Sequence, residues 1–133
     1  MSHCDILIGN SDEFLHLSKK IHIIEHLGEF SEKVSRKYPE LTIIITNGSD
    51  PIKLITNAET KLIPVPSIPP DLIIDTNGAG DAFVGGILAS LHQGNSLNGA
   101  IELGTFMASC VIKQSGINPP SLEEINEFID NKN

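Results

Sequence analysis

Tryptophan is absent from this sequence, and positive charge is scarce. The 133 residues include 9 Lys and Arg residues against 17 Asp and Glu residues, which gives a formal net charge of −8. Proteins that bind nucleic acids or anionic membranes concentrate Lys and Arg on one surface, and no segment here has such a concentration. The composition therefore excludes a nucleic-acid partner. Any phosphate group must be held locally, by backbone amides, helix termini or a metal ion.

Cysteine is also scarce, and long hydrophobic runs are missing. The two cysteines, Cys4 and Cys110, lie far apart, without a Cys-x-x-Cys pair or a cluster of histidines at ligand spacing. This usage excludes a disulfide framework and a zinc site and is typical of a reducing compartment. The longest apolar stretch, Ala82–Leu91, is interrupted by two glycines and is too short to cross a bilayer. With no visible leader peptide, the sequence predicts a cytoplasmic protein that has no membrane partner.

What is present is the composition of a globular α/β protein. Hydrophobic residues make up 40% of the sequence and charged residues 20%, which excludes a disordered chain, and the length fits one domain. Ile6–Ile8 and Leu41–Ile45 are continuous aliphatic runs, typical of parallel strands that are covered on both faces. Helical stretches at about Asp12–Lys20 and Glu29–Lys37 lie between them, so the sequence predicts a βαβ crossover.

The middle of the sequence predicts a hairpin followed by a stiff connector. Ile52–Thr56 and Lys61–Val65 are strand candidates around a four-residue turn, Asn57–Thr60. Prolines at positions 64, 66, 69 and 70 follow, and they exclude a central strand there.

Helices are predicted for the carboxy-terminal half. The first ends near Gly94, a residue suited to the position after a helix. A second, at about Leu97–Lys113, is apolar on nearly every face and is expected to be deeply buried. Ser121 and Glu124 have the spacing of a capping box for the last helix.

The strongest chemical signal is the junction between the strand candidate Leu72–Ile74 and the helix after it. The junction reads Asp-Thr-Asn-Gly-Ala-Gly-Asp over residues 75–81. Gly78 and Gly80 permit backbone angles that other residues resist, so that successive N–H groups can point outward at the helix start and bind an anion. Asp81 stands at the rim, where a carboxylate can accept the proton of a hydroxyl nucleophile. The combination suggests phosphoryl transfer to an alcohol.

The glycines of this junction match neither of two well-known nucleotide-binding motifs. A dinucleotide-binding fingerprint fails because its third glycine position is Phe83, and a P-loop fails because the sequence has no Gly-Lys-Ser/Thr triplet. A purely structural role stays open: Gly78 forms a turn, and Asp81 only complements the helix dipole, which is worth about 0.3–1 kcal/mol. Gly85 and Gly86 each cost about 0.8–1 kcal/mol against Ala inside a helix, and close approach of a backbone or a ligand would offset that.

The whole string Asp75–Gly86 resembles the carboxy-terminal signature of the ribokinase/PfkB family of sugar and nucleoside kinases. Within that family, Asn77 and the run Ala82–Gly86 are most similar to adenosine kinases. Asp5–Glu13 resembles the family's N-x-x-E segment, and Thr46-x-Gly48 follows in the family order. The resemblance covers about residues 4–120. It implies a ribokinase-like, three-layer α/β/α fold with a mainly parallel sheet.

The resemblance also implies which part of such a kinase is present. Residues 1–133 would be the carboxy-terminal, ATP-binding and catalytic part, without the amino-terminal part that binds the acceptor and forms a lid. The expected reaction moves the γ-phosphoryl group of ATP to the 5′-hydroxyl of adenosine. Asp81 would be the general base, and the amides of Gly78, Ala79 and Gly80 would form the anion hole for the transferred group.

Cofactor residues follow from the same resemblance. Asn10 and Glu13 would organise Mg²⁺ through water, since hard oxygen ligands suit this ion; alternatively they cap a helix, with Asn at the N-cap and Glu three residues later. Thr46 and Gly48 would meet the triphosphate of ATP, or else form an ordinary loop.

Further nucleotide and cation contacts are implied around the signature. Asp75 and Thr76 would help to hold a monovalent cation, although as a strand end and an N-cap they need no such role. Asn77 would belong to the nucleotide site, and Ala108 would begin the wall of the adenine pocket, which extends to Asn118.

Two alternatives remain. The acceptor could be a sugar such as ribose or fructose, or the chain could be a non-catalytic, nucleotide-binding or oligomerising fragment. An uncovered sheet edge and apolar face would favour self-association of a shortened chain. The predicted partners are otherwise small molecules, a nucleoside and ATP.

Overall fold

The structure, a computed structural model, describes residues 3–20, 27–57 and 59–131. Where length and composition predict one domain, the chain divides into two compact units, Met1–Ser67 and Ile68–Asn133. The division falls inside the proline-rich connector. Because proline has a fixed φ and no N–H donor, this segment cannot extend the sheet that precedes it, which favours a boundary there.

The first unit combines helices with a mixed sheet. Its elements in chain order are β1 (Ile6–Asn10), α1 (Ser11–Lys20), α2 (Leu27–Lys37), β2 (Thr42–Asn47), β3 (Asp50–Thr56) and β4 (Glu59–Ile63). The sheet of the described residues has the order β1-β2-β3-β4. β1 and β2 are parallel, whereas β2 with β3 and β3 with β4 are antiparallel. The βαβ crossover is confirmed, and the parallel pairing in the described sheet is confined to it.

The hairpin between β3 and β4 has a tighter turn than the sequence predicts. Thr56 pairs with Glu59, so two residues connect the strands. Asn57 has φ 52, a left-handed conformation that two-residue hairpin turns require and that asparagine tolerates. The prediction of a four-residue turn over Asn57–Thr60 is therefore wrong, and β4 begins two residues earlier than expected. Ala58 lies outside the described residues.

β2 supplies the centre of the first unit. Ile43 and Ile45 belong to its buried cluster, and Ile44, which points to the opposite face of the sheet, is fully buried too. The prediction of a strand covered on both faces is confirmed for β2. It is wrong for β1, which is half-buried along residues 6–9 because it lies at the edge of the described sheet. The cluster consists of Phe14, Val34, Leu41, Ile43, Ile45 and Ile55.

The second unit is helical. Its elements are a 3₁₀ turn (Pro70–Leu72), α3 (Ala79–His92), α4 (Leu97–Val111) and α5 (Leu122–Asp130). Gly94 follows α3 with φ 81, as predicted for a residue that ends a helix. α4 is buried at residues 100, 101, 103, 104 and 111, whereas residues 105–110 are half-buried and Glu102 is exposed. The prediction that α4 is deeply buried is therefore wrong for residues 105–110.

Backbone contact sets the distance between α3 and α4. A β-carbon built on Gly86 would lie 2.8 Å from the Cα of Gly104, and one on Gly104 would lie 2.6 Å from the carbonyl oxygen of Phe83. Both positions therefore require glycine. Gly85 is different, because it is exposed and no atom lies within 4 Å of a β-carbon built on it. The expected close approach explains Gly86 but not Gly85.

α5 begins at the predicted capping box. Ser121 accepts a hydrogen bond from the backbone N–H of Glu124, and the Glu124 carboxylate accepts one from the backbone N–H of Ser121. The ring of Phe128 stacks on Phe106 of α4, with 4.3 Å between the centroids. Leu122 is 79% exposed, so this first residue of the helix does not pack into the unit.

Candidate functional site

The first cluster of predicted site residues lies at the carboxyl ends of the parallel strands β1 and β2. Asn10 and Thr46 are direct partners in the parallel register. The Thr46 hydroxyl donates to the Gly9 carbonyl over 3.5 Å, and the Ser11 hydroxyl donates to the Thr46 carbonyl over 3.4 Å. Ligands of open α/β sheets bind at this edge. Ser11 is a neighbour that the sequence pattern does not single out, because nothing local distinguishes it from any serine at a helix start.

Asn10 and Glu13 form a reciprocal cap on α1. The backbone N–H of Glu13 donates to Oδ1 of Asn10 over 2.8 Å, and the backbone N–H of Asn10 donates to Oε2 of Glu13 over 2.8 Å. The capping arrangement that the sequence offered as an alternative to metal binding is therefore present. Both side chains are exposed, and Oε1 of Glu13 takes no part in the pair.

Two glycines shape this edge of the sheet. A β-carbon built on Gly9 would lie 2.9 Å from Oε2 of Glu13, so glycine leaves room for that carboxylate to fold back onto the strand end. Gly48 has φ 55, and no atom lies within 4 Å of a β-carbon built on it. It stands in the two-residue turn between Asn47 and Asp50, whose side chains share a hydrogen bond of 2.7 Å. The backbone of Gly48 is thus open to a ligand.

The second cluster is the turn that leads into α3. In the described residues, no strand leads directly into this turn. After the 3₁₀ turn, the N–H of Ile74 donates to the Ile112 carbonyl over 2.8 Å, and that of Asp75 donates to the same oxygen over 3.3 Å. The predicted strand at Leu72–Ile74 is therefore not formed. The segment is bonded to the carboxyl end of α4 instead.

Gly78, not Thr76, is the N-cap of α3. Its φ is 78, and no side chain caps the helix. The Asp75 carboxylate accepts a hydrogen bond of 2.9 Å from the N–H of Asn77, which shapes the turn without covering the helix end. Asp75 is thus a turn-forming residue in this structure.

The anion-hole prediction needs amides at the start of α3 that do not already have strong hydrogen-bond acceptors. N–H groups in the first turn of a helix have no acceptor inside the helix, and that of Ala79 has only a long contact of 3.4 Å to the Thr76 carbonyl. Gly80 lies within α3 and does not have a positive φ. The expectation that both glycines use special backbone angles is therefore correct for Gly78 and wrong for Gly80.

Asp81 is exposed in the first turn of α3. Ala108 is half-buried on α4, and Ile117, from the loop after α4, covers Gly78. Ile117 lies in the segment predicted to form the adenine-pocket wall, but no local pattern singles it out or predicts its contact with Gly78. The residues that the structure brings together at this turn are Asp75, Thr76, Asn77, Gly78, Ala79, Gly80 and Asp81.

The ionisable groups give two limits on chemistry. Nowhere in residues 3–20, 27–57 and 59–131 do three or more His, Cys, Asp or Glu side chains gather as a metal cage would require. Cys110, in the segment predicted to line the adenine pocket, is not an activated nucleophile. Burial raises the pKa of its thiol, and the Glu124 carboxylate raises it further, so the reactive thiolate is disfavoured.

Comparison with known proteins gives a consistent result. A family model described as pfkB family carbohydrate kinase matches residues 1–125. Adenosine kinase 1 of Arabidopsis thaliana is 37% identical over 135 residues, which cover 95% of this chain and 38% of that protein. The chain therefore spans less than half the length of this curated relative.

Solved structures agree with the sequence matches. Adenosine kinase of Anopheles gambiae, in complex with P1,P4-di(adenosine-5) tetraphosphate, superposes with a TM-score of 0.77 at 36% identity over 89% of this chain and 38% of that one. Ribokinase of Thermotoga maritima superposes with a TM-score of 0.80 at 26% identity over 96% of this chain and 42% of that one. The ribokinase-like fold is confirmed for this part of it. Among the described residues, no helix has both the length and the apolarity to span a membrane.

Proposed function

Because the chain belongs to the pfkB family of carbohydrate kinases, we propose that it is the carboxy-terminal, ATP-binding and catalytic part of an adenosine kinase. The reaction transfers the γ-phosphoryl group of ATP to the 5′-hydroxyl of adenosine and yields AMP and ADP. The observation that carries the proposal is the uncapped start of α3, with Gly78 at its N-cap and Asp81 in its first turn. The 37% identity to a plant adenosine kinase supports the choice of acceptor.

In the proposed mechanism, Asp81 accepts the proton of the 5′-hydroxyl while that oxygen bonds to the γ-phosphorus and the bond to the β-phosphate oxygen breaks. The amides of Gly78, Ala79 and Gly80 donate hydrogen bonds to the oxygens of the transferred group. Little covalent chemistry falls to the protein in phosphoryl transfer, so positioning and charge stabilisation dominate. Amides that no side chain caps can donate to a bound anion without first breaking a cap.

The triphosphate of ATP would meet Thr46 and Gly48, where the turn after β2 leaves the backbone open. Asn77 and Ala108 are the further nucleotide contacts of the proposal. A monovalent cation near Asp75 also remains a prediction, and the turn-forming bond of that carboxylate to Asn77 leaves its second oxygen available.

Mg²⁺ fits the first cluster only through water. The cap occupies Oδ1 of Asn10 and Oε2 of Glu13 with backbone donors, and Oε1 of Glu13 is the hard oxygen that remains. One remaining carboxylate oxygen suits an ion that keeps several of its own waters. When bound, the ion would neutralise charge on the phosphates. The chain's own contribution is a carboxylate held in place by the helix it caps.

The test is ATP consumption with adenosine, ribose and fructose as acceptors, each with and without Mg²⁺, by a version of the protein that also contains the acceptor-binding part of the kinase. We expect turnover with adenosine and little with either sugar. Asp81→Asn, which keeps the shape of the side chain but removes the base, should abolish turnover and leave ATP binding intact by calorimetry. Full turnover in Asp81→Asn contradicts the mechanism.

A sugar kinase is the second candidate, and the similarity to ribokinase favours it. Turnover with ribose and none with adenosine would establish it. ATP binding without turnover on any acceptor would instead support a nucleotide-binding module that is not itself an enzyme. A cytoplasmic location remains a prediction that rests on cysteine usage. Self-association also remains a prediction, which sedimentation at several protein concentrations would test.

A further inference from the structure

Ile117 lies directly on the turn that begins α3. A β-carbon built on Gly78 would lie 2.7, 3.0 and 3.2 Å from three side-chain carbons of Ile117. The isoleucine is nevertheless 64% exposed. One face of the Ile117 side chain lies against the main chain of Gly78. It fills the space that the β-carbon of any other N-cap residue would need.

The loop that carries Ile117 is held by its own hydrogen bonds. Gly116 has φ 77, the N–H of Asn118 donates to the Gly116 carbonyl over 3.1 Å, and the side-chain amide of Asn118 donates to the Ser115 carbonyl over 3.0 Å. Ile117 is thus the tip of a tight, hydrogen-bonded turn. Such a tip can press on a neighbouring main chain without collapsing away from it.

The end of α4 is bonded to the segment that leads into the same turn. The Ile112 carbonyl accepts the N–H groups of Ile74 and Asp75, which fix the segment just before the turn. The loop that starts at this point returns Ile117 to Gly78, which fixes the segment just after it. The end of α4 and the loop after it therefore contact both the segment before the turn and the N-cap of α3.

We propose that Ile117 is a positioning residue for the anion-binding amides of Gly78, Ala79 and Gly80. The inference rests on the proposed function. Glycine in the left-handed region is conformationally permissive, and no side chain caps this helix, so the Ile117 contact restricts the rotation of the turn. Donors of a functional site must be held to within about 0.5 Å to be effective.

The first test concerns the protein without ligand. Backbone order parameters from NMR relaxation are compared for the unmodified chain, Ile117→Ala and Leu88→Ala. Leu88 is a matched control, since it is 57% exposed, also apolar, and lies on α3 itself. We expect the order parameters of Gly78, Ala79 and Gly80 to fall in Ile117→Ala only. Unchanged values overturn the inference whether or not the chain binds an anion.

The second test uses inorganic triphosphate and ATP as probes, titrated into the same variants and into Ile117→Val. We expect Ile117→Ala to raise both dissociation constants by about tenfold, a smaller factor than the 10²-fold loss of reaction rate that a displacement near 1 Å can cause. Ile117→Val should restore binding, and Leu88→Ala should leave it unchanged.

The two probes separate the outcomes. Weaker binding of ATP with unchanged binding of triphosphate overturns the inference, since Ile117 would then contact the nucleoside rather than orient the amides. Equal losses in Ile117→Ala and Leu88→Ala also overturn it. If neither probe shifts the amide resonances of Gly78 to Gly80 in the unmodified chain, the proposed function is contradicted instead. The order parameters then still decide whether Ile117 positions these amides.

Discussion

The starts of α1 and α3 are built in opposite ways. At α1, Asn10 and Glu13 exchange hydrogen bonds with each other's backbone N–H groups, so the cap is made by the chain's own side chains. At α3, the cap position is Gly78 and no side chain forms a capping hydrogen bond. A capped helix start is stabilised before any ligand arrives, whereas an uncapped one leaves donors for a ligand. The difference separates a structural helix start from one suited to binding an anion.

The largest expected effect on catalysis comes from comparing one acidic residue at each of these two helix starts. Asp81 and Asp12 are both exposed and stand in the first turns of α3 and α1. Asp81→Ala should lower kcat by about 10²–10⁴-fold, as loss of a general base does, whereas Asp12→Ala should leave kcat unchanged. Steady-state rates with adenosine measure both. Similar losses in the two variants would mean that Asp81 only complements the helix dipole.

A smaller effect is expected at the amides themselves. Gly80→Pro removes one N–H group in the first turn of α3, where proline is tolerated, and should lower kcat by about 10²–10³-fold if that donor serves the anion hole. Gly80→Ala is the control, because it keeps the N–H group and its β-carbon finds no atom within 4 Å. We expect Gly80→Ala to raise the unfolding midpoint. An equal loss of kcat in both variants would exclude the N–H group as the cause.

Removing the side-chain cap of α1 should lower the free energy of unfolding, whereas an equivalent substitution next to the start of α3 should not. Asn10→Ala should lower the free energy of unfolding by about 0.5–2 kcal/mol, the usual cost of losing an N-cap. Asn77→Ala should change it by less than about 0.5 kcal/mol, as for surface positions without such a role. Urea unfolding measures both. A loss in Asn77→Ala as large as that in Asn10→Ala would show that α3 has a side-chain cap after all.

Glu13→Gln refines that result, because glutamine also completes a capping box. The variant should keep the stability of α1 while the Mg²⁺ concentration needed for half-maximal turnover rises. An unchanged Mg²⁺ requirement would leave Glu13 with the cap as its only role.

The smallest effect is the pH dependence of another capped helix start, that of α5. Hydrogen bonds from Ser121 lower the pKa of the Glu124 carboxyl below its ordinary value. A carboxyl with a lowered pKa in the folded state adds stability above its unfolded pKa, and this is lost as the pH falls through the lowered pKa. NMR titration should show the Glu124 amide resonance moving in that acidic range, and Ser121→Ala should return the pKa toward its ordinary value.

Sequence patterns predict much of this molecule and fail for identifiable reasons. The βαβ crossover, the capping box at Ser121 and the helix end at Gly94 follow from local rules, and each is present. The run Leu72–Ile74 fails as a strand because the backbone bonds instead to Ile112, a residue remote in sequence. Such a choice depends on tertiary contacts that no local pattern contains.

The candidate site divides in the same way. The string from Asp75 to Asp81 predicts a turn with outward amides, and Gly78 adopts the left-handed angle expected of it. Sequence could not decide between metal and cap at Asn10 and Glu13, because both uses need the same oxygens at the same spacing. The contact of Ile117 with Gly78 could not be predicted because it joins positions far apart in the chain.

The glycine pair between α3 and α4 determines which sequences this fold can accept. A side chain at position 104 would meet the carbonyl oxygen of Phe83 in α3, and one at position 86 would meet the Cα of Gly104 in α4. Both obstacles are main-chain atoms, so no change of rotamer relieves either clash. In a library of variants selected only for folding, positions 86 and 104 should return glycine almost without exception. Position 85, one residue away and open to solvent, should accept nearly any residue. Loss of diversity at position 85 under selection for activity would then identify a ligand that approaches the helix there.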